Sequence, residues 1–238
     1  PAQAFALSNA DDKYGNKILE GIKAGKFTYG FKSKADFNEK LETKLLGDFN
    51  AYNVLAVYST CKLLGFDVEK VKEILKNVAP PAGRFEHFTS RSEVLVIVDY
   101  AHTPDALENV LKTIKDMKKG NTKIISVFGC GGDRDPIKRK VMGKIGASLS
   151  DIAIFTSDNP RSEDPDAIIE QMKADLSGED LPKVKTIPNR HEAILEAVKI
   201  AQSGDIVLVA GKGHEDYQII KGVKSHFDDM EELKKAFN

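Results

Sequence analysis

Net charge is nearly absent from this chain: among its 238 residues, 35 lysines and arginines stand against 36 aspartates and glutamates. A dedicated nucleic-acid binder carries a clear basic excess, so that class has no electrostatic support. Long apolar runs are missing too; none reaches the roughly eighteen residues that a membrane-spanning helix needs. Cysteine is scarce. Cys61 and Cys130 alone cannot build a disulfide framework or a four-thiolate zinc site. The start of the chain, Pro1 to Ser8, lacks the charged and apolar regions of a secretory signal, and no internal repeat or low-complexity tract occurs. These absences leave the expectation of a soluble, cytoplasmic globular protein without nucleic-acid or membrane partners. Its length suits one large or two modest domains.

The texture changes at residues 79–83, where Pro80 and Pro81 stand in tandem. Paired prolines disfavour helix, so the pair reads as a domain junction, with domains expected over residues 1–80 and 81–238. Before it, residues 52–77 carry two helical patterns broken at Gly65, residues 17–24 suggest a short helix, and residues 32–44 are mostly polar. After it, an apolar run of strand length at 94–98 is followed by expected strands at 123–128, 152–155, 185–187 and 206–210, alternating with helical patterns (106–117, 137–149, 166–176 and 191–201). Uniformly apolar strands alternating with helices predict an α/β domain with a mostly parallel sheet covered on both faces. Ligands bind such sheets outside the carboxyl ends of the strands. The polar loops fall there, at residues 99–105, 129–135, 156–161 and 211–218.

Each loop admits a chemical and a bland reading. Residues 129–135 are glycine-rich and precede a helix, so their backbone could approach an anion closely; a tight strand-to-helix turn needs the same residues. Arg134 and Arg139 favour the anion, because guanidinium grips carboxylate or phosphate bidentately. The loop lacks the closing Gly-Lys-Ser/Thr of a phosphate loop, and it is not a dinucleotide fingerprint. Cys130 has no obvious base beside it and does not read as a nucleophile. Residues 156–161 set Asp158, Asn159 and Arg161 close together. A carboxylate with a guanidinium suits a zwitterion such as an amino acid, while Asp and Asn are also ordinary turn and cap residues. In residues 211–216 the neighbours His214, Glu215 and Asp216 cannot easily converge on one ion, and no second histidine has helical ligand spacing. No metal site is expected among them, and Glu215 fits a ligand ammonium better. His102 is either a polar contact to a nucleotide or a loop histidine bonded to backbone. His87, His191 and His226 look incidental, and Cys61 looks like core.

These motifs, in this order, resemble the Mur ligases, and among them the E-type members that add meso-diaminopimelate. Residues 46–53 (Leu-Gly-Asp-Phe-Asn-Ala-Tyr-Asn) resemble the family's asparagine motif at the end of the central domain, and residues 83–86 (Gly-Arg-Phe-Glu) the motif that opens the C-terminal domain. Residues 99–105, 129–135, 158–161 and 211–218 complete the series; residues 9–30 match less cleanly. The resemblance implies a Rossmann-like C-terminal domain preceded by part of a central α/β ATPase domain. It implies an ATP-dependent ligase that activates the carboxylate of UDP-N-acetylmuramoyl-L-alanyl-D-glutamate as an acyl phosphate, with attack by the acceptor's amino group, in bacterial peptidoglycan precursor synthesis. By the same analogy Asn53, Arg84, Asp99 and His102 would contact ATP. Arg134, Asp158, Asn159, Arg161, Gly211 and Glu215 would form the pocket for meso-diaminopimelate. Members carrying Asp-Asn-Pro-Arg at the acceptor motif add this amino acid, whereas lysine-adding members typically lack the arginine.

The same resemblance marks what these residues do not include. The family's uridine-nucleotide domain, its phosphate loop, its magnesium ligands and its carbamylated lysine have no counterpart in the sequence, and residues 37–44 run directly into the asparagine motif. The chain therefore reads as a fragment, or as pieces joined under continuous numbering, and is expected to be inactive alone and monomeric. The rival readings are a lysine-adding Mur ligase, a folylpolyglutamate synthetase relative, a simple dinucleotide-binding domain and a non-catalytic binding module. Arg161 and residues 211–218 argue against the first two.

Overall fold

A computed structural model describes residues 4–238; residues 1–3, which open the expected first domain, lie outside the described residues. The chain divides into two compact units, Pro1–Ala79 and Pro80–Asn238.

In the first unit, β1 (Phe5–Asn9) and β2 (Gly25–Tyr29) pair in parallel, with Phe5 opposite Gly25. The helix expected over residues 17–24 is only one turn, α1 (Gly15–Ile18), because the chain reverses at Gly21, whose φ of 72° suits glycine. Two longer helices follow, α2 (Asp48–Leu63) and α3 (Val68–Asn77). Gly65 at φ 81° ends the first, and the Asp67 side chain caps the second by accepting from the N–H groups of Glu69 and Lys70. Val54, Leu55 and Tyr58 of α2 pack with Leu75 of α3 and with Phe37.

The second unit holds a six-stranded sheet in the order β3-β4-β8-β5-β6-β7. Its strands are β3 (Glu86–Thr89), β4 (Leu95–Asp99), β5 (Ile124–Phe128), β6 (Ile152–Phe155), β7 (Val184–Thr186) and β8 (Ile206–Ala210). All neighbours run parallel except β3, which pairs antiparallel with β4 at the edge. The connecting helices are α4 (Pro104–Met117), α5 (Ile137–Leu149), α6 (Pro165–Lys173) and α7 (Arg190–Ile200). A hairpin, β9 (Tyr217–Ile220) with β10 (Val223–His226), and α8 (Asp229–Ala236) close the chain. The expected α/β architecture is thus present, a mostly parallel sheet between helices. Residues alternate sides along a strand. Val96, Val98, Ile125, Val127, Ile154, Val207 and Val209 face Ala193, Ile194 and Ala197 of α7 and Leu233 of α8. The alternate positions Ile97, Phe128, Phe155 and Leu208 are equally buried, so both faces are covered, and β6 and β8 read as unbroken apolar runs.

Chain order positions the site. The path runs outward from β5 through β6 to β7, then returns to insert β8 between β4 and β5. This reversal is the kind of switch point at which doubly wound sheets open a crevice.

Candidate functional site

Strands β4, β8, β5 and β6 lie side by side, so the four polar loops that leave their carboxyl ends form one surface. The loop after β6 is buried: Asp158 and Asn159 are 9% and 2% exposed. Both ends of the Asn159 amide are fixed. Its Nδ2 donates to Glu215 Oε2 at 2.9 Å, and its Oδ1 accepts from the Ile219 N–H at 2.9 Å. Gln218 Nε2 donates to the Asp158 carbonyl at 2.8 Å, and the Arg161 N–H donates to the Ile219 carbonyl at 3.0 Å. The β9–β10 hairpin therefore holds this loop as a neighbouring strand would.

The Asp158 carboxylate is treated differently. Its Oδ2 is buried without a hydrogen-bond partner, a costly arrangement that a ligand N–H would relieve. Gly211 makes room for it: φ is 115°, and a Cβ built there would sit 2.6 Å from that oxygen. Arg161 adopts a left-handed φ of 54°, rare for a residue with a side chain and a recurrent feature of ligand sites. Its Nη1 donates to the carbonyls of Gly132 at 2.7 Å and Asn159 at 3.3 Å. Arg134 is exposed, with Nη1 on the Asp133 carbonyl at 3.0 Å. Gly131 lies between the two arginines, since a Cβ there would be 2.9 Å from Arg161 Nη1 and 3.7 Å from Arg134 Cγ. The structure thus brings all six expected acceptor residues into one loop cluster, with carboxylates and guanidinium groups both represented.

Arg139 requires a correction. It is 1% exposed, donates to both carboxylate oxygens of Glu163 at 2.7 and 2.8 Å, and reaches the Gly131 carbonyl at 3.1 Å. Its charge is spent inside the protein, tying the glycine loop to the acceptor loop, and it is not offered to a ligand. The Arg139 guanidinium and the Asp133 N–H in turn hold the Glu163 carboxyl down at about 2. Cys130 is buried, which pushes its thiol up to about 12 and agrees with its reading as a non-nucleophile.

A second cluster surrounds Tyr100, which sequence reasoning passed over. The Arg84 guanidinium lies 4.7 Å from the ring centroid, with the His102 ring at 4.5 Å and the His214 ring at 5.2 Å. His102 Nδ1–H donates to the Tyr100 carbonyl at 2.8 Å, the backbone bond of the bland reading, while its ring remains exposed. Asp99 is engaged in the turn. Burial raises its pKa, opposed by the N–H groups of Phe85 and Ala101, which donate to its two oxygens at 2.8 Å each. Gly83 and Gly213 let residues 83–86 pack on residues 211–216, since a Cβ on Gly83 would fall 2.1 Å from Gly213 carbon and His214 nitrogen. Arg84, Asp99 and His102 are therefore neighbours.

Asn53 belongs to the first unit, exposed on α2, where its Nδ2 donates to Asn50 Oδ1 at 3.3 Å. Also there, Asp11 accepts from the N–H groups of Phe31, Lys32 and Ser33 and from Tyr52 Oη at 2.7 Å. Those bonds hold its carboxyl far below the usual range, the Lys32 N–H foremost. Among the described residues no group of three or more His, Cys, Asp or Glu side chains could hold a metal ion, and no helix is long and apolar enough to cross a membrane.

A family profile described as "Mur ligase, glutamate ligase domain" matches residues 83–213. The chain is 47% identical over 255 residues to a UDP-N-acetylmuramoyl-L-alanyl-D-glutamate–2,6-diaminopimelate ligase of Parabacteroides distasonis, covering 100% of this chain and 52% of the relative. It is likewise 47% identical to the protein of the same name in Cytophaga hutchinsonii, with the same coverage. A solved structure of a UDP-N-acetylmuramoyl-L-alanyl-D-glutamate–2,6-diaminopimelate ligase superposes with a TM-score of 0.70 at 35% identity, over 98% of this chain and 53% of that one. The chain spans about half the length of the curated relatives it matches.

Proposed function

Given that this chain belongs to the Mur ligase family, we propose that it supplies the acceptor-binding half of an ATP-dependent ligase that joins meso-diaminopimelate to UDP-N-acetylmuramoyl-L-alanyl-D-glutamate. On this reading residues 81–238 are the C-terminal acceptor domain, residues 1–80 are part of the central domain, and the enzyme works in the bacterial cytoplasm as a monomer. The observation that carries the proposal is the buried loop after β6, where Asp158 keeps an unpartnered carboxylate oxygen beside Gly211, Glu215 and Arg161.

The chemistry follows from charge. ATP supplies the phosphoryl group that converts the nucleotide substrate's carboxylate into a better acyl donor. The acceptor's task is then to present one amine in line with that carbonyl, which is chiefly a matter of positioning. Meso-diaminopimelate has two ammonium and two carboxylate groups. Asp158 and Glu215 suit an ammonium, and Arg161 and Arg134 suit a carboxylate, so the end of the molecule away from the reacting amine would be held at four points. Lysine offers no distal carboxylate and would leave guanidinium charge uncompensated. For the nucleotide, the exposed guanidinium of Arg84, the Tyr100 ring and His102 fit a phosphate chain and a base, with Asp99 fixing the turn that presents them. Asn53, on the first unit, is assigned to the nucleotide by the family resemblance alone. The described residues do not fit a magnesium site.

Arg161→Ala tests the reading in a ligation assay on the full gene product. The expected result is a KM for meso-diaminopimelate raised at least about tenfold, the loss of one charge-assisted contact, with weaker discrimination against lysine and an unchanged KM for ATP. Unaltered discrimination refutes the assignment of Arg161.

A further inference from the structure

Lys212 is a lysine where the fold has little reason to hide one. Its side chain is 0% exposed, although it sits in a glycine-flanked loop immediately after β8. Buried ammonium groups normally have close carboxylate partners. The contacts of this one are long: Nζ lies 3.4 Å from Asn159 Oδ1 and 3.5 Å from Glu215 Oε2, against about 2.7–2.9 Å for a well-made charged bond. The Tyr217 ring centroid is 5.5 Å away, a further mild attraction for the cation. Burial lowers the lysine's pKa and Arg190 adds to that, while Asp158, Asp229 and Glu215 favour its charge.

The placement has a geometric consequence. An asparagine amide can point either way round, and nothing intrinsic to Asn159 chooses. Lys212 Nζ and the Ile219 N–H both require the oxygen on their side, which turns Nδ2 towards Glu215. Lys212 also approaches the same Glu215 oxygen that accepts from Asn159. One cation thus contacts both side chains of this Asn159–Glu215 pair and reinforces the orientation that the Ile219 N–H also favours. Beside these side chains Asp158 Oδ2 is buried and lacks a donor, which a ligand ammonium would supply.

We propose that Lys212 is a positioning residue for acceptor recognition: its buried ammonium locks the Asn159 amide and the Glu215 carboxylate in the arrangement that receives the ammonium end of an amino-acid acceptor. The inference rests on the acceptor-pocket reading given above and adds to it a residue that does not itself touch the ligand. A lysine serving stability alone would be felt in the melting temperature and not in one substrate's KM.

The test is steady-state ligation by the full gene product carrying Lys212→Met, with melting temperatures recorded alongside. The expected result is a KM for meso-diaminopimelate raised about tenfold or more, the loss of a contact set to a charged group. KM for ATP and for the nucleotide substrate should stay within about twofold. Lys212→Gln, which keeps an N–H donor without the charge, is expected to recover part of the lost affinity, and it decides the question if the methionine variant does not fold. An acceptor KM unmoved in a folded variant overturns the proposal, as does failure of both variants to fold, which would make the lysine a requirement of the fold itself. A wild-type protein that ligates no acceptor refutes the ligase reading and this inference with it; an active wild type beside an indifferent variant refutes the role of Lys212 alone.

Discussion

Replacing Asp229 by alanine strips the counter-charge from one of the most deeply buried cations in the protein. Arg190 and Asp229 are 1% and 0% exposed. Arg190 Nε and Nη2 donate to the two Asp229 oxygens at 2.7 Å each, and the remaining donors reach the carbonyls of Ala210 at 3.0 Å and Ser157 at 3.3 Å. Burial alone would lower the pKa of this guanidinium, but the Asp229 carboxylate outweighs that and leaves it raised. Without Asp229 the charge would keep two carbonyl contacts and only the weaker, unbonded pull of Asp158 and Glu215. Breaking a buried pair from one side costs about 3–5 kcal/mol. At roughly 2–4 °C per kcal/mol for a domain of this size, the melting temperature should fall by about 6–20 °C. Far-UV circular dichroism melts of the chain measure this directly. Replacing both partners by leucine should return most of the loss, because no uncompensated charge then remains. A drop below about 1 kcal/mol for Asp229→Ala would refute the reasoning. The pair also matters for the site, since the two carbonyls it grips belong to the strand ends that carry the acceptor loops.

Further outcomes follow from the same geometry. Gly83→Ala should destabilise the C-terminal unit by at least about 2 kcal/mol in a denaturant melt, because it adds a Cβ at φ 63° and 2.1 Å from the backbone of Gly213 and His214; a neutral result would show that the two motifs do not pack as described. Glu163 has a folded pKa of about 2 against an ordinary 4.5. A depressed carboxyl stabilises the fold fully above its unfolded value and loses that contribution as pH falls through the folded one. Acid unfolding between about pH 4.5 and 2 should therefore be flatter in Glu163→Gln than in the wild type, and identical acid limbs would count against the Arg139 pairing.

The parallel core was legible because strands buried on both faces are apolar almost throughout, as β6 and β8 are; the buried hydroxyl of Ser126 in β5 is paired with that of Ser150 at 2.8 Å. Elements of mixed exposure escaped. Edge strand β3 reads Glu-His-Phe-Thr, and β10 is exposed along its whole length. The hairpin did leave a signal: Lys221 and Gly222 both take positive φ, the two-residue turn that joins twisted strands. The acceptor loop was visible because carboxylate, amide and guanidinium types crowd into residues 158–161 at a strand end. Lys212 was not, since a lysine between glycines reads as solvated, and only the packed hairpin shows that it is covered. Arg139 was misjudged for the converse reason: its partner Glu163 lies on another loop, and sequence spacing carries no sign of that contact.

Acceptor choice by the full gene product tests the central claim most directly. With ATP and UDP-N-acetylmuramoyl-L-alanyl-D-glutamate supplied, phosphate release and product mass should be followed for meso-diaminopimelate and for lysine. The account predicts ligation with kcat/KM strongly in favour of meso-diaminopimelate; equal use of lysine, or saturable binding without any ligated product, would contradict it.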